Sequence, residues 1–195
     1  MFYNIQKDDN MDNKKILEII LNNDDVVKSI RNNMQQLIEI ITEICDMIGF
    51  EHKHPHHHLD VWEHTLYALS FSPNNFDIRL ALLLHDIGKP HSYQDEEVRH
   101  FKGHPDMSSK ISKCILQRLG YEDNYITYIC KLIRQHDTPL TENDILTNMN
   151  LSKIIFEVQK CDALAHNPAK NQKRLEYIAT MTKLFKENEN INQTN

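Results

Sequence analysis

The stretch Ile78–Pro90, IRLALLLHDIGKP, decides the architecture. Apart from Arg79, every residue from Ile78 to Leu84 is apolar. A helix so apolar has no solvent face and reads as buried all round. Gly88-Lys89-Pro90 reads as its stop, because proline cannot continue a helix. His85 and Asp86 ride on its end. An unpartnered carboxylate in that setting is costly. Asp86 therefore needs a partner, and a metal cation is one that offsets the cost.

Working outward, the 195 residues include only 4 Gly and 6 Pro, and apolar residues recur mostly at steps of three and four. That spacing predicts an all-α fold, a compact helical bundle, and the metal site that Asp86 calls for would lie in its core. Helices are expected at Lys14–Leu21, from Asp60 with Glu63 as a capping box, and over Ile78–Ile87. Further ones are expected at His104–Gly120, Asn124–Asp137, Ser152–Ala165 and Ala169–Glu187, with Thr141–Met149 as a short helix or turn. One long helix is expected from Asp24 or Asp25, carrying Val27, Ile30, Met34, Leu37, Ile41, Ile44 and Ile48 and ending at Gly49. Its stripe suits either a helix lying on the core or a homodimer face spanning Val27–Ile48. The expected division is an N-terminal helical extension over 1–43, one domain over 44–187, and a disordered Asn-rich tail over 188–195. The first ten residues read as polar and frayed.

Composition excludes several roles. No apolar run reaches the roughly 18 residues of a membrane span, and the N-terminus lacks a secretory apolar region. A net charge of −6 argues against strong nucleic-acid binding. Cys45, Cys114, Cys130 and Cys161 show no CxxC spacing, which suggests reduced thiols and a cytoplasmic protein. Histidine stands out, with 12 copies.

Four histidines and two aspartates fall on or beside apolar helix faces: His64, His85, Asp86, His104, His136 and Asp162. One buried histidine alone is more often a hydrogen-bonded core residue, and His104 can equally cap its helix. The joint occurrence points to a metal site. Imidazole with carboxylate suits Mn, Fe, Ni, Co or Zn, and Mg less, because Mg prefers oxygen ligands. The histidines of HKHPHHH, His52–His58, read as an exposed loop at the mouth of that site.

The order H…HD…D, set by His64, His85-Asp86 and Asp162, resembles the signature of the HD-domain metal-dependent phosphohydrolases. His104 and His136 are similar to the extra histidines of members that hold two metals. PHHHLDVWEHT, LALLLHDIGKP, RHFKGHPDMSSKI and CDALAHNP resemble most closely the HD domain of bacterial tRNA nucleotidyltransferases (CCA-adding enzymes). The likeness runs from about Ile44 to Ala169. Only about forty helical residues precede it, with no Gly-Ser motif or paired aspartates. A stand-alone HD domain is therefore expected, without nucleotidyl transfer.

The resemblance implies one ion held by His64, His85, Asp86 and Asp162, and a second held by His104 and His136 with Asp86 bridging. It implies a metal-dependent phosphohydrolase with one or two divalent ions. The substrate would be a small nucleotide or an RNA-end phosphate, and the activity a 2′,3′-cyclic phosphodiesterase or phosphatase. The alternatives are a dinucleoside-polyphosphate or nucleotide pyrophosphohydrolase, and a non-catalytic metal- or tRNA-binding module. Asp86 and Lys89 are the candidate catalytic residues, and Lys89, Arg79 and Arg99 the candidate phosphate contacts. Lys89 can equally serve the helix dipole, and Arg79, Arg99 or Lys102 can each be an ordinary ion-pair partner. Asp137 either orients His136 or caps the end of its helix.

Overall fold

Short polar side chains start most of the helices by accepting a free backbone N–H, a contact worth about 0.5–2 kcal/mol each. Asp25, Asp60, Asn75, Thr141 and Asn148 do so. The structure, a computed structural model, describes residues 12–94 and 97–194. In chain order the helices are α1 (Asn13–Leu21), α2 (Val26–Asn32), α3 (Met34–Ile40), α4 (Val61–Ser70) and α5 (Phe76–Leu84). There follow α6 (His104–Arg118), α7 (Asp123–Gln135), α8 (Glu142–Thr147), α9 (Met149–Ala165) and α10 (Gln172–Thr194). Short 3-10 turns occupy Thr42–Asp46, Lys89–His91 and Pro168–Lys170. Among the described residues there is no strand, only the isolated bridges Glu51–Asp60 and Gln94–His100. The fold is the expected all-α bundle.

Helix α5 is its axle. Every residue from Ile78 to Leu84 is buried, and α1, α4, α6, α7 and α9 pack around it. Each fully buried leucine there contributes roughly 1.5–3 kcal/mol. Helices α1 and α2 share this core through Leu17, Ile20 and Ile30. The N-terminal segment is thus packed into the bundle rather than appended to it.

Five expectations change. The long helix is three pieces. Asn33 breaks it by donating its side-chain amide to Ser29 O at 2.8 Å, in competition with the helical ladder. Ile41 breaks it again, at φ −129° and ψ 80°. The breaks let the chain wrap, so Ile30, Leu37, Ile41 and Ile44 all enter one core while Ile48 is exposed. No continuous stripe is left along 27–48 for a second copy.

The Asp60 cap is half a box. Asp60 accepts from Glu63 N–H, but the Glu63 side chain pairs with Arg31 instead. Helix α5 ends at Leu84, so His85 and Asp86 sit just beyond it. Gly88 has an ordinary φ of −86° and is not a left-handed stop. It is a close approach: a Cβ there would lie 2.4 Å from Ser108 N. Helix α6 can therefore press on the segment that bears Asp86, and Gly88 N–H donates to Ser108 Oγ. Finally, α10 continues through Thr194 where a disordered tail was expected, with Lys153 pairing to Glu189 at 2.6 Å. The first ten residues and Asn195 lie outside the described residues. Among the described residues no helix is long and apolar enough to cross a membrane.

Candidate metal centre

His64 comes from the middle of α4, His85 and Asp86 from just past α5, and Asp162 from the last turns of α9. His104 is the first residue of α6, and His136 caps the end of α7. The fold brings all six side chains together in a buried cluster. Asp86 lies at its centre. Its Oδ2 is 3.2 Å from His85 Nε2 and 3.7 Å from His64 Nε2. Its Oδ1 is 3.3 Å from His104 Nε2 and 3.8 Å from His136 Nε2. One oxygen thus faces each pair of imidazoles. Asp162 Oδ1 closes the first arm, 2.9 Å from His64 Nε2 and 3.6 Å from His85 Nε2.

Backbone carbonyls aim the rings. His85 Nδ1 donates to Leu82 O at 2.7 Å, His104 Nδ1 to Phe101 O at 2.9 Å, and His136 Nδ1 to Ile133 O at 2.6 Å. A carbonyl only accepts, so each Nδ1 carries the hydrogen, and each ring, once neutral, turns its Nε2 lone pair inward. This is the second layer a metal-binding histidine needs.

The donor set fits a divalent cation on three counts. His104 Nε2 and His136 Nε2 stand 3.1 Å apart. With both Nδ1 atoms already donating, two lone pairs face each other, and only a proton or a metal between them reconciles the contact. Burial, followed by the charges of His85 and His104, pushes His136 down to about 4, which disfavours a proton on that ring. Asp86 Oδ1 and His85 Nε2 are also buried without a hydrogen bond. The groups His64–His85–Asp86 and Asp86–His104–His136 each converge well enough to hold an ion.

Charge within the cluster is uneven. Burial alone would lower His85, but Asp86 and Asp162 overcome it and raise the imidazole to about 10. Burial would raise both carboxyls, yet the surrounding imidazoles, with Lys89 at Asp86, hold them well below the usual range. Lys89 is buried, with Nζ 2.7 Å from Asp86 Oδ2 and 3.1 Å from His52 Nε2.

The expected phosphate contacts divide. Arg79 is not at the site. It is 2% exposed, and its guanidinium donates to Leu21 O, Asn23 O, Asn74 Oδ1 and Ser72 Oγ. It ties the α1–α2 turn to α5, because the polar turn beside α5 supplies acceptors that only an arginine fork can reach together. Arg99 does line the cavity over the cluster, donates to Glu51 O and lies over the Phe50 and Tyr93 rings. Asp137 lines the cavity too and pairs with Arg174 at 3.4 Å.

The His-rich loop is only partly exposed. His54 lines the mouth, but His52 is 2% exposed and stacks on His57 at 3.8 Å. It turns inward because Leu59 O accepts from its Nδ1 and Lys89 meets its Nε2. Sequence reasoning missed His166, which joins His64 and Asp162 in a third possible ligand group. Its spacing of four from Asp162 on one helix was the available signal. It also missed Arg174, whose Nη1 is 3.7 Å from Asp162 Oδ2. Nothing near Arg174 in the sequence marks it.

Comparison with known proteins agrees with this geometry. The HD domain family matches residues 36–167. A CC-adding tRNA nucleotidyltransferase of Thermus thermophilus is 32% identical over 110 residues, covering 52% of this chain and 25% of that protein. An A-adding tRNA nucleotidyltransferase of Deinococcus radiodurans is 33% identical over 96 residues, covering 45% and 22%. The chain thus spans about a quarter of the length of these curated relatives. With the family match covering most of the chain and both arms of the His/Asp cluster within it, the chain belongs to the HD domain family, of the metal-dependent phosphohydrolase superfamily.

Proposed function

We propose that the chain is a metal-dependent phosphohydrolase acting on a nucleotide phosphoester, of the 2′,3′-cyclic phosphodiesterase or phosphatase type. The observation that carries this reading is the division of Asp86, one oxygen toward His64 and His85 and the other toward His104 and His136. In this reading His64, His85, Asp86 and Asp162 hold one divalent ion, and Asp86, His104 and His136 hold a second. Mn, Fe, Co, Ni or Zn suits so many imidazoles better than Mg. When bound, such ions polarise a phosphoryl oxygen and lower the pKa of water toward about 7.

The chain's own side chains do the rest. Asp86 and Asp162 supply the negative charge that retains the cations. Lys89 sets an ammonium at the edge of the cluster, where it meets a phosphoryl oxygen or steadies the leaving oxygen. Arg99 and Arg174 line the cavity above and offset the substrate's charge. Walls of His54, Phe101 and His104 restrict water on that side.

The names of the two relatives point to tRNA, which keeps an RNA 3′ end among the substrates to assay. The test loads the purified chain with each transition metal. It then assays nucleoside 2′,3′-cyclic phosphates, nucleoside monophosphates, dinucleoside polyphosphates and a short RNA ending in a cyclic phosphate. Chelator is expected to stop turnover, and Asp86→Ala to abolish it with helical circular dichroism retained. Full metal loading with no turnover on any of these would leave only a metal- or RNA-binding module.

A further inference from the structure

The cavity over the metal cluster does not end there. Its volume is about 170 Å³, and a second cavity of about 270 Å³ adjoins it. His136, Asp137 and Arg174 line both. Each alone is smaller than the roughly 300–1,000 Å³ of ordinary ligand sites, and joined they enter that range. Their chemistry differs. The first is walled by the charged and imidazole groups already described. The second is walled by Pro139, Ala163 and Tyr177, with Lys173 at its rim.

Tyr177 is fixed in place. Its hydroxyl donates to Gln159 Oε1 and accepts from Leu140 N–H at 2.9 Å. Gln159 in turn donates to Gln135 O and Thr138 O. With the hydroxyl engaged on both sides, what Tyr177 offers a ligand is its ring. At the junction, Arg174 reaches Asp137 at 3.4 Å and Asp162 at 3.7 Å. Both contacts are longer than the about 2.7–2.9 Å of a well-made charged hydrogen bond. The guanidinium therefore has donors to give an anion standing between the chambers.

From this junction we infer that the second chamber is the base pocket of a nucleotide, with its ring against Tyr177 and Pro139 and its phosphate under Arg174. The inference rests on the phosphohydrolase reading for which phosphate is cleaved, and it adds where the organic part lies. Arg174 is the specificity residue, because its position couples a phosphate in one chamber to a planar ring in the other. A phosphoester without a ring would fill only the first chamber.

The test needs no turnover. The metal-free 195-residue chain is titrated with uridine 3′-monophosphate, adenosine 3′-monophosphate and ribose 3-phosphate, followed by calorimetry. The nucleotides are expected to bind about 10-fold or more tightly than ribose 3-phosphate, the scale of one base stacked on an aromatic ring. Tyr177→Phe is expected to keep that preference, and Tyr177→Leu to reduce it below about 3-fold without weakening ribose 3-phosphate. If Tyr177→Leu does not fold, transferred nuclear Overhauser contacts between base and Tyr177 ring protons in the wild-type chain decide. Arg174→Ala is expected to weaken all three ligands. Equal binding of nucleotide and ribose 3-phosphate, a preference that survives Tyr177→Leu, or base protons that never meet Tyr177 would overturn the pocket. A base preference in a metal-loaded chain that cleaves nothing would instead sink the hydrolase reading and leave the pocket standing.

Discussion

The two arms of Asp86 look alike in composition and differ in mounting and charge. The inner arm takes His64 and Asp162 from α4 and α9 and His85 from the end cap of α5, three helices of the central core. The outer arm sets His104 at the start of α6 and His136 at the end of α7, nearer the cavity. Carboxylates on both sides raise His85 to about 10, whereas burial and cationic neighbours lower His136 to about 4. At neutral pH without metal, His85 therefore carries a proton that His136 lacks. The same ligand types make two different receptors because their surroundings differ.

The sharpest break in this comparison is a pair of single substitutions. His85→Ala is expected to empty both arms, because it removes an inner ligand and leaves Lys89, already 2.7 Å from Asp86 Oδ2, as the main partner of the carboxylate that both arms share. His136→Ala is expected to keep one bound ion. Metal per chain after gel filtration, measured by mass spectrometry, separates them. Equal loss from both variants would show that the arms are one site.

Next in size is Gly88→Ala. A Cβ meets the backbone of Met107 and Ser108, which cannot yield as a flexible side chain would. Overpacking of this kind costs about 1–3 kcal/mol, and a thermal melt reads it as a fall of roughly 2–4 °C per kcal/mol. Because α6 carries His104, outer-arm metal is expected to weaken more than inner-arm metal. An unchanged melt would contradict the close approach.

The proton itself gives a third test. Metal requires neutral imidazole. Loading at pH 8 should therefore release about one proton from the inner arm and none from His136. Calorimetry in buffers of different ionisation enthalpy counts it. The sign for stability follows. A raised histidine stabilises the metal-free fold fully below its unfolded pKa of about 6.5, and that contribution is lost as the pH climbs to about 10. The melting temperature of the metal-free chain should fall across that window from this group, and that of the loaded chain should not.

The smallest effect on chemistry is expected from Arg79→Met. It strands the buried carbonyl of Leu21, at about 1–3 kcal/mol for a group left unpaired. The melt should drop while kcat of the loaded enzyme stays within about 2-fold, since a buried side chain that does not line the cavity has no transition-state contact to lose. A selective loss of kcat would return Arg79 to the site.

Much of this was legible in the sequence, for local reasons. The cap at Asp60 and the apolar run of α5 announce themselves within a few residues. The convergence of His64, His85, Asp86, His104, His136 and Asp162 was legible because burying acids on apolar faces demands company. What was hidden depended on partners distant in the chain. The breaks at Asn33 and Ile41 leave the three-and-four apolar spacing intact, so the wrap shows only when Ile30, Leu37, Ile41 and Ile44 meet in one core. Arg79 resembles a surface cation until Leu21 and Asn23 come to meet it. His52 turns inward for Lys89, 37 residues away. Gly88 looked like a helix stop, and its actual reason, the backbone of α6, lies across the fold.

The carbonyl contacts behind His85, His104 and His136 have a further consequence. Each ring is steadied by the residue three places before it in the same stretch of chain. Its bearing is thus fixed within a single turn, with no help from the loops between. Those loops are left at liberty to lengthen, shorten or change their chemistry around a new guest while the grip on the metal stays true.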